Sequence, residues 1–177
     1  KRLWFSGDIG RYDMPILRDP VMPSEATTLL MECTYGDKPH ASIFDAYDEF
    51  VDAVNRTVNR GGKVIVPAFA VGRTQNLLYL LSDAIENGDI PDIPVIVDSP
   101  LAVNASDMYR KHTECFDDET WQFIAEHRMQ GLDFHNILFT RSVDESKALN
   151  DWNEPMIIIS ASGMAESGRI LHHLRNN

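Results

Sequence analysis

The chain has 177 residues, enough for one domain of ordinary size with part of a neighbour attached. Hydrophobic residues make up 44% and charged residues 24%, which excludes a disordered chain, and no apolar run approaches the length needed to cross a bilayer. A formal charge of -11 argues against a nucleic-acid surface spread over the whole chain, yet a local basic cleft on an acidic body stays open. The acids crowd helical stretches (Asp45, Asp48, Glu49, Asp52; Asp117, Asp118, Glu119) and read as solvated faces, whereas Arg11, Arg73, Arg141 and Arg169 lie beside glycine-containing turns.

Lys1-Arg2 lead straight into Leu3-Trp4-Phe5, a strand with no signal peptide before it, and the missing initiator Met with the end at Asn176-Asn177 leads us to expect an internal segment. Thr28 to Met31 reads as a second strand, joined to the first by a loop bearing Pro15, Pro20 and Pro23. A boundary is expected near Gly36 to His40, dividing residues 1–38 from 39–177. One amphipathic helix follows, about Ser42 to Arg60, with Phe44, Tyr47, Val51, Val54 and Val58 on one side.

From Gly61 the pattern is an apolar run, a polar turn, then helical period, repeated. Lys63 to Pro67 is a β-branched strand, and Arg73 to Glu86 places Leu77, Leu80, Leu81 and Ile85 at helical spacing. Val95-Ile96-Val97 is the next strand, followed by Asp98, with Ser99 as N-cap and Pro100 at the first helical position. Asn136 to Thr140 is a third strand, with Ser142 capping the helix from Val143 to Leu149. Met156 to Ile159 is a fourth, after which Ser160-Ala161-Ser162-Gly163 turns into a helix carrying Ile170, Leu171 and Leu174. Continuous apolar strands separated by helices predict an α/β fold, a Rossmann-like parallel sheet covered on both faces.

Asp8 and Glu32 each follow a strand, where a rigid platform can hold an acid against a cation or a histidine. Spacing alone favours the plainer role of capping adjacent loops. The turn from Pro67 to Gln75 leaves a strand and enters a helix, so free N–H groups and the helix dipole face the loop, and Arg73 adds a forked cation suited to phosphate. Ser160 to Gly163 is expected to repeat that arrangement with hydroxyls. Cys33 and Cys115, far apart with no CxxC spacing, read as isolated buried thiols and fit a cytoplasmic home. His40, His112, His127 and His135 lack ligand spacing, and adjacent His172 and His173 point about 100° apart on a helix, so all six read as surface or packing residues.

Taken together, Phe5-Ser6-Gly7-Asp8-Ile9-Gly10-Arg11, Met31-Glu32-Cys33-Thr34-Tyr35-Gly36, Pro67 through Gln75, Asp98-Ser99-Pro100-Leu101-Ala102, Phe139-Thr140-Arg141-Ser142 and Ser160 through Arg169 form an ordered series. The series resembles the β-CASP group of metallo-β-lactamase-fold nucleases, closest to its RNA-processing members, over essentially the whole chain. The resemblance implies that residues 1–38 close a metallo-β-lactamase-type αββα core and that 39–177 form a β-CASP domain covering the metal site as a lid. It implies that Asp8 bridges two zinc ions and that Glu32 is the motif acid that pairs with a catalytic histidine. It also places Arg73, Ser160, Ser162 and Gly163 along the cleft toward the substrate backbone. Cys33 stands where the family usually has Ser.

The family's H-x-H-x-D-H motif and its two C-terminal histidine motifs are absent from the 177 residues. This segment alone is therefore expected to hold zinc weakly and to cut nothing. The expected activity is zinc-dependent hydrolysis of RNA by the intact protein, with RNA as partner, no membrane, and a homodimer open to the intact protein. The competing readings are a non-catalytic module binding nucleotide or RNA phosphates, and a metallo-hydrolase acting on DNA or a small ester.

Overall fold

A computed structural model describes residues 1–38, 43–127 and 136–177, with side chains in the first helix described from residue 46. His40 and His135, the N-terminal edge of the first helix and the end of the expected domain boundary lie outside the described residues. So does the side chain of Phe44.

Among the described residues six strands and six α-helices follow one another, from β1 (Leu3–Phe5) and β2 (Thr28–Leu30) to α1 (Ile43–Asn59), β3 (Val64–Pro67) and α2 (Arg73–Glu86). The second half continues with β4 (Val95–Val97), α3 (Pro100–Lys111), α4 (Asp118–Glu126), β5 (Ile137–Phe139), α5 (Val143–Ala148), β6 (Ile157–Ser160) and α6 (Ile170–Asn176). β3 to β6 make one sheet in the order β3-β6-β4-β5 with every pair parallel, as continuous apolar strands separated by helices require. β6 sits between β3 and β4, pairing Ile157 to Ile159 with both, and is buried along its whole length.

Alternation along these strands divides the core. Val95, Val97, Ile157 and Ile159 join Val54 of α1, Leu78 and Leu81 of α2, Val103 of α3 and Phe123 and Ile124 of α4 in one large cluster. Ile96 and Ile158 face the other way and form a smaller cluster with Met156 and Leu149. Side chains one residue apart on a strand point to opposite faces, so both faces of this sheet are covered.

The helix starts follow the chemistry expected of them. Ser99 accepts a hydrogen bond from the Ala102 amide with Pro100 behind it, and Ser142 and Glu145 form a reciprocal capping box. Asp117 accepts from the Thr120 amide at the start of α4. α6 departs from expectation: it begins at Ile170, so the Ser160–Gly163 turn is not at a helix N-terminus. The cysteine reading is also corrected, because Cys33 and Cys115 are both exposed, lying in a loop after β2 and a short 3-10 turn.

β1 and β2 pair in parallel as a separate two-stranded sheet, in register from Leu3 opposite Thr28 to Phe5 opposite Leu30. The loop between them is pinned to the rest of the molecule by Ile16, which is fully buried in the main core. Around it, the Asp117 amide donates to the Ile16 carbonyl at 3.0 Å, and Arg18 donates through its backbone to Cys115 and through its guanidinium to Glu114. Ile16 holds a φ of 82°, a strained value for a β-branched residue that its complete burial offsets.

Candidate functional site

Asp8 and Glu32 end on neighbouring loops because β1 and β2 run parallel and side by side. The Ser6 amide donates to the Leu30 carbonyl, and the Ser6 hydroxyl accepts from the Glu32 amide at 3.1 Å, so pairing continues past both strands. Glu32 then spends its carboxylate locally. One oxygen accepts from the Ile9 amide and the other from the Thr34 hydroxyl, both at 2.6 Å. These two bonds, Thr34 first, hold the Glu32 carboxyl below its ordinary titration range. Glu32 thus clamps the Gly7-to-Gly10 turn on which Asp8 rides, where Gly7 has a φ of 58°. The exposed Asp8 carboxylate has no hydrogen-bond or ion-pair partner among the described residues. The two acids therefore come together with different tasks: one is committed to the turn, the other is free.

Arg73 is the first residue of α2, and its position is built from behind. Gln75 is buried. Its side-chain oxygen accepts from the Gly72 amide at 2.7 Å, while its amide donates to the Ala70 carbonyl and to Ser106 on α3. Thr74 donates its hydroxyl to the Phe69 carbonyl. Gly72 takes a φ of 77°, a left-handed conformation that a side chain would strain. A cation at the positive end of a helix is unfavourable on its own. Arg73 nonetheless makes no side-chain hydrogen bond or ion pair to described residues, and neither does Arg11. The Arg73 and Thr74 amides that open α2 are already bonded to the Val71 and Phe69 carbonyls, so the donors left for an anion are the Arg11 and Arg73 guanidiniums.

Asp8, Glu32, Arg11 and Arg73 line a single open cleft of about 790 Å³, together with Tyr35, Phe69 and Tyr109. The structure thus gathers three of the expected site residues at one place. The remaining three do not line it. Ser160 is buried and donates its hydroxyl to the Asp98 carbonyl at 2.9 Å, so that hydroxyl is turned inward rather than toward a ligand. Ser162 accepts from the Met164 amide at 3.3 Å. Gly163 backs onto the loop after β3, where an added Cβ would come within 3.0 Å of the Phe69 amide nitrogen. Gly163 therefore sets how closely the two loops approach, and its neighbour Phe69 reaches the cleft.

Sequence reasoning missed the most elaborate polar cluster, centred on Asp98. This carboxylate, fully buried at the end of β4, accepts from Ser146 at 2.5 Å and His173 at 2.6 Å on one oxygen, and from Thr140 and Arg169 (2.7 Å) on the other. Burial pushes the Asp98 carboxyl up, but the donors led by His173 outweigh it and leave it far below the ordinary range. Arg169 also donates to the Arg141 carbonyl, and Arg141 reaches Asn104 and Asp107 on α3. The loops after β4, β5 and β6 are tied to one point by this network. The available signal was an acid directly after Val95-Ile96-Val97, a run that had to be interior.

Among the described residues, no three His, Cys, Asp or Glu side chains converge to hold a metal ion. Asp8 offers one free carboxylate, and the histidine at Asp98 is enclosed. These donors do not by themselves fit a zinc pair, which takes several ligands per ion.

Comparison with known proteins settles the kinship. The Beta-Casp domain model matches residues 74–177. The chain belongs to the β-CASP family. It is 35% identical over 179 residues to a ribonuclease of Thermus thermophilus, covering 99% of this chain and 40% of that protein. It is 29% identical over 180 residues to an RNase J-like protein of Methanocaldococcus jannaschii, with 99% and 40% covered. Cleavage and polyadenylation specificity factor 73 of Drosophila melanogaster is 28% identical over 171 residues, or 94% of this chain and 24% of that protein. The chain thus spans two fifths or less of the length of these curated relatives. The β-CASP match begins one residue after Arg73 and takes in the Asp98 network, while Asp8 and Glu32 fall in the part aligned only with the full-length relatives.

Proposed function

We propose that the whole protein hydrolyses phosphodiester bonds of RNA and that the cleft lined by Asp8, Arg11 and Arg73 receives the RNA backbone. The observation that carries this reading is the cleft itself, lined by one carboxylate and two guanidinium groups that have no partner among the described residues. Both guanidiniums offer forked donors to phosphate oxygens. Glu32 fixes the turn below Asp8 so that little freedom is lost when substrate arrives. The names of the relatives, a ribonuclease, an RNase J-like protein and a cleavage factor, support RNA as the substrate.

Zinc is the metal we propose for the whole protein, with Asp8 as one ligand and its other ligands outside the described residues. The same reading assigns residues 1–38 to the metallo-β-lactamase-like part and 39–177 to the β-CASP domain, which the separate pairing of β1 with β2 supports. The test is cleavage of single-stranded RNA by the full-length protein and its Asp8→Asn variant. The variant should lose activity by at least about a hundredfold, the scale of removing one preorganised charged group from such a site. Cleavage at the wild-type rate would remove Asp8 from the site.

A further inference from the structure

A second cavity, of about 560 Å³, opens beside the cleft and shares Arg11, Met14, Pro15, Arg73 and Asn76 with it. It runs along one face of α2. Arg73, the pair Asn76 and Leu77, Leu80, Asp83 and, just past the helix, Asn87 recur at three- or four-residue steps and all line it. The opposite face of the same helix, Thr74, Leu78, Leu81 and Ser82, is buried toward the sheet. The facing wall comes from α1 through Ala46, Tyr47 and Phe50. The groove is therefore graded in chemistry: two unpartnered guanidiniums where it meets the cleft, aliphatic and aromatic walls in the middle, and amide and carboxylate groups at the far end. Arg73 and Asp83 are ten residues apart on one helix, about 15 Å along its axis.

We infer that this groove is a nucleobase subsite, taking a base of the same RNA whose phosphate is held by Arg11 and Arg73; the inference rests on the RNA reading above. Three features select a base over other occupants. The volume lies within the range of small-ligand pockets. Tyr47 and Phe50 present aromatic rings to a flat apolar group, the contact by which single strands are bound without regard to sequence. Asn76, Asn87 and Asp83 supply edge-on donors and acceptors, and the carboxylates of Asp83 and Asp89 disfavour a second phosphate at that end. Tyr47 is itself fixed in place, donating its hydroxyl to Asp89 at 2.7 Å, and its burial together with that carboxylate pushes the phenol up so that it stays neutral.

The test compares two probes of equal charge on the 177-residue chain: a fluorescent oligouridylate and the same oligomer made abasic throughout. Both are titrated against the wild type and against Tyr47→Leu, which keeps an apolar side chain at that helix position and removes the ring. The oligouridylate should bind the wild type about tenfold tighter than the abasic probe. Tyr47→Leu should erase most of that difference and leave abasic binding unchanged. A 5-iodouridine probe should cross-link by light to Tyr47 or Phe50. Equal affinity of the two probes, or a difference that Tyr47→Leu leaves intact, overturns the subsite while the RNA reading stands. Failure of the wild type to bind either probe overturns both.

Discussion

Two parallel sheets in this molecule are built from similar side chains and meet opposite surroundings. Leu3-Trp4-Phe5 and Thr28-Leu29-Leu30 are exposed at every position, Leu3 and Phe5 at 70% and 71%. Val95-Ile96-Val97 and Ile157 to Ser160 are buried at every position. Strand pairing alone accounts for neither outcome, since both sheets are parallel and in register. The difference is the cover. α1 to α4 on one face, and Leu149 just past α5 with Met156 on the other, enclose β4 and β6. β1 and β2 are anchored through their connecting loop, at Ile16, rather than through their own side chains. Apolar content marks both pairs of strands as suited to an interior, and within these 177 residues only the larger sheet has the covering elements that provide one. The two sheets also carry different parts of the proposed site: the exposed sheet has Asp8 and Glu32 just past its strand ends, and the buried sheet carries the frame behind Arg73.

The contrast can be broken at several points. Asp98→Ala should cost the most, about 3–5 kcal/mol in urea unfolding, because it strands Arg169, His173 and two hydroxyls in the interior of the larger sheet. A loss below about 1 kcal/mol would show that the network is not a keystone. Ile158→Ala, at a fully buried position, should cost about 2–5 kcal/mol. Stability should also fall with acid. The Asp98 carboxyl titrates lower folded than unfolded, so its contribution is complete above the unfolded value near 4 and drains away as pH falls toward the folded value. Urea midpoints at pH 7 and pH 3 should differ more in the wild type than in Asp98→Asn. Leu3→Ala, its side chain exposed in the 177-residue chain, should change that chain's unfolding free energy by no more than about 0.5 kcal/mol. A cost matching that of Ile158→Ala would erase the distinction between the sheets.

Much of the frame was legible in the residues. The strands at 64–67, 95–97, 137–139 and 157–160 announce themselves as β-branched runs. Ser99, Pro100 and Ser142 mark helix starts where the structure has them. Asp8, Glu32 and Arg73 each sit where a strand ends or a helix begins and the structure brings them to one cleft, although spacing alone favoured a loop-capping role for the two acids. The Asp98 network was not legible. Its four side-chain partners lie 42, 48, 71 and 75 residues away, and no local spacing connects them. His173 looked like a packing residue because its neighbour His172 gave it no ligand pattern, whereas the acid that its Nε2 meets lies just past β4, far away in the chain. Ser160 to Gly163 resembled a helix-start turn only because the helix was expected six residues too early. The exposure of β1, β2 and both cysteines depends on what surrounds them, which composition does not encode.

The central claim is that RNA phosphates lie against Arg11 and Arg73. Its most direct test is the salt dependence of single-stranded RNA binding by the wild type and by the Arg11→Ala, Arg73→Ala double variant. Each phosphate contact on a single strand contributes about 0.7 to the slope of log K against log salt. The account predicts that the double variant binds more weakly and that its slope is shallower by about 1.4. An unchanged slope and affinity would place the RNA elsewhere on the molecule and contradict it.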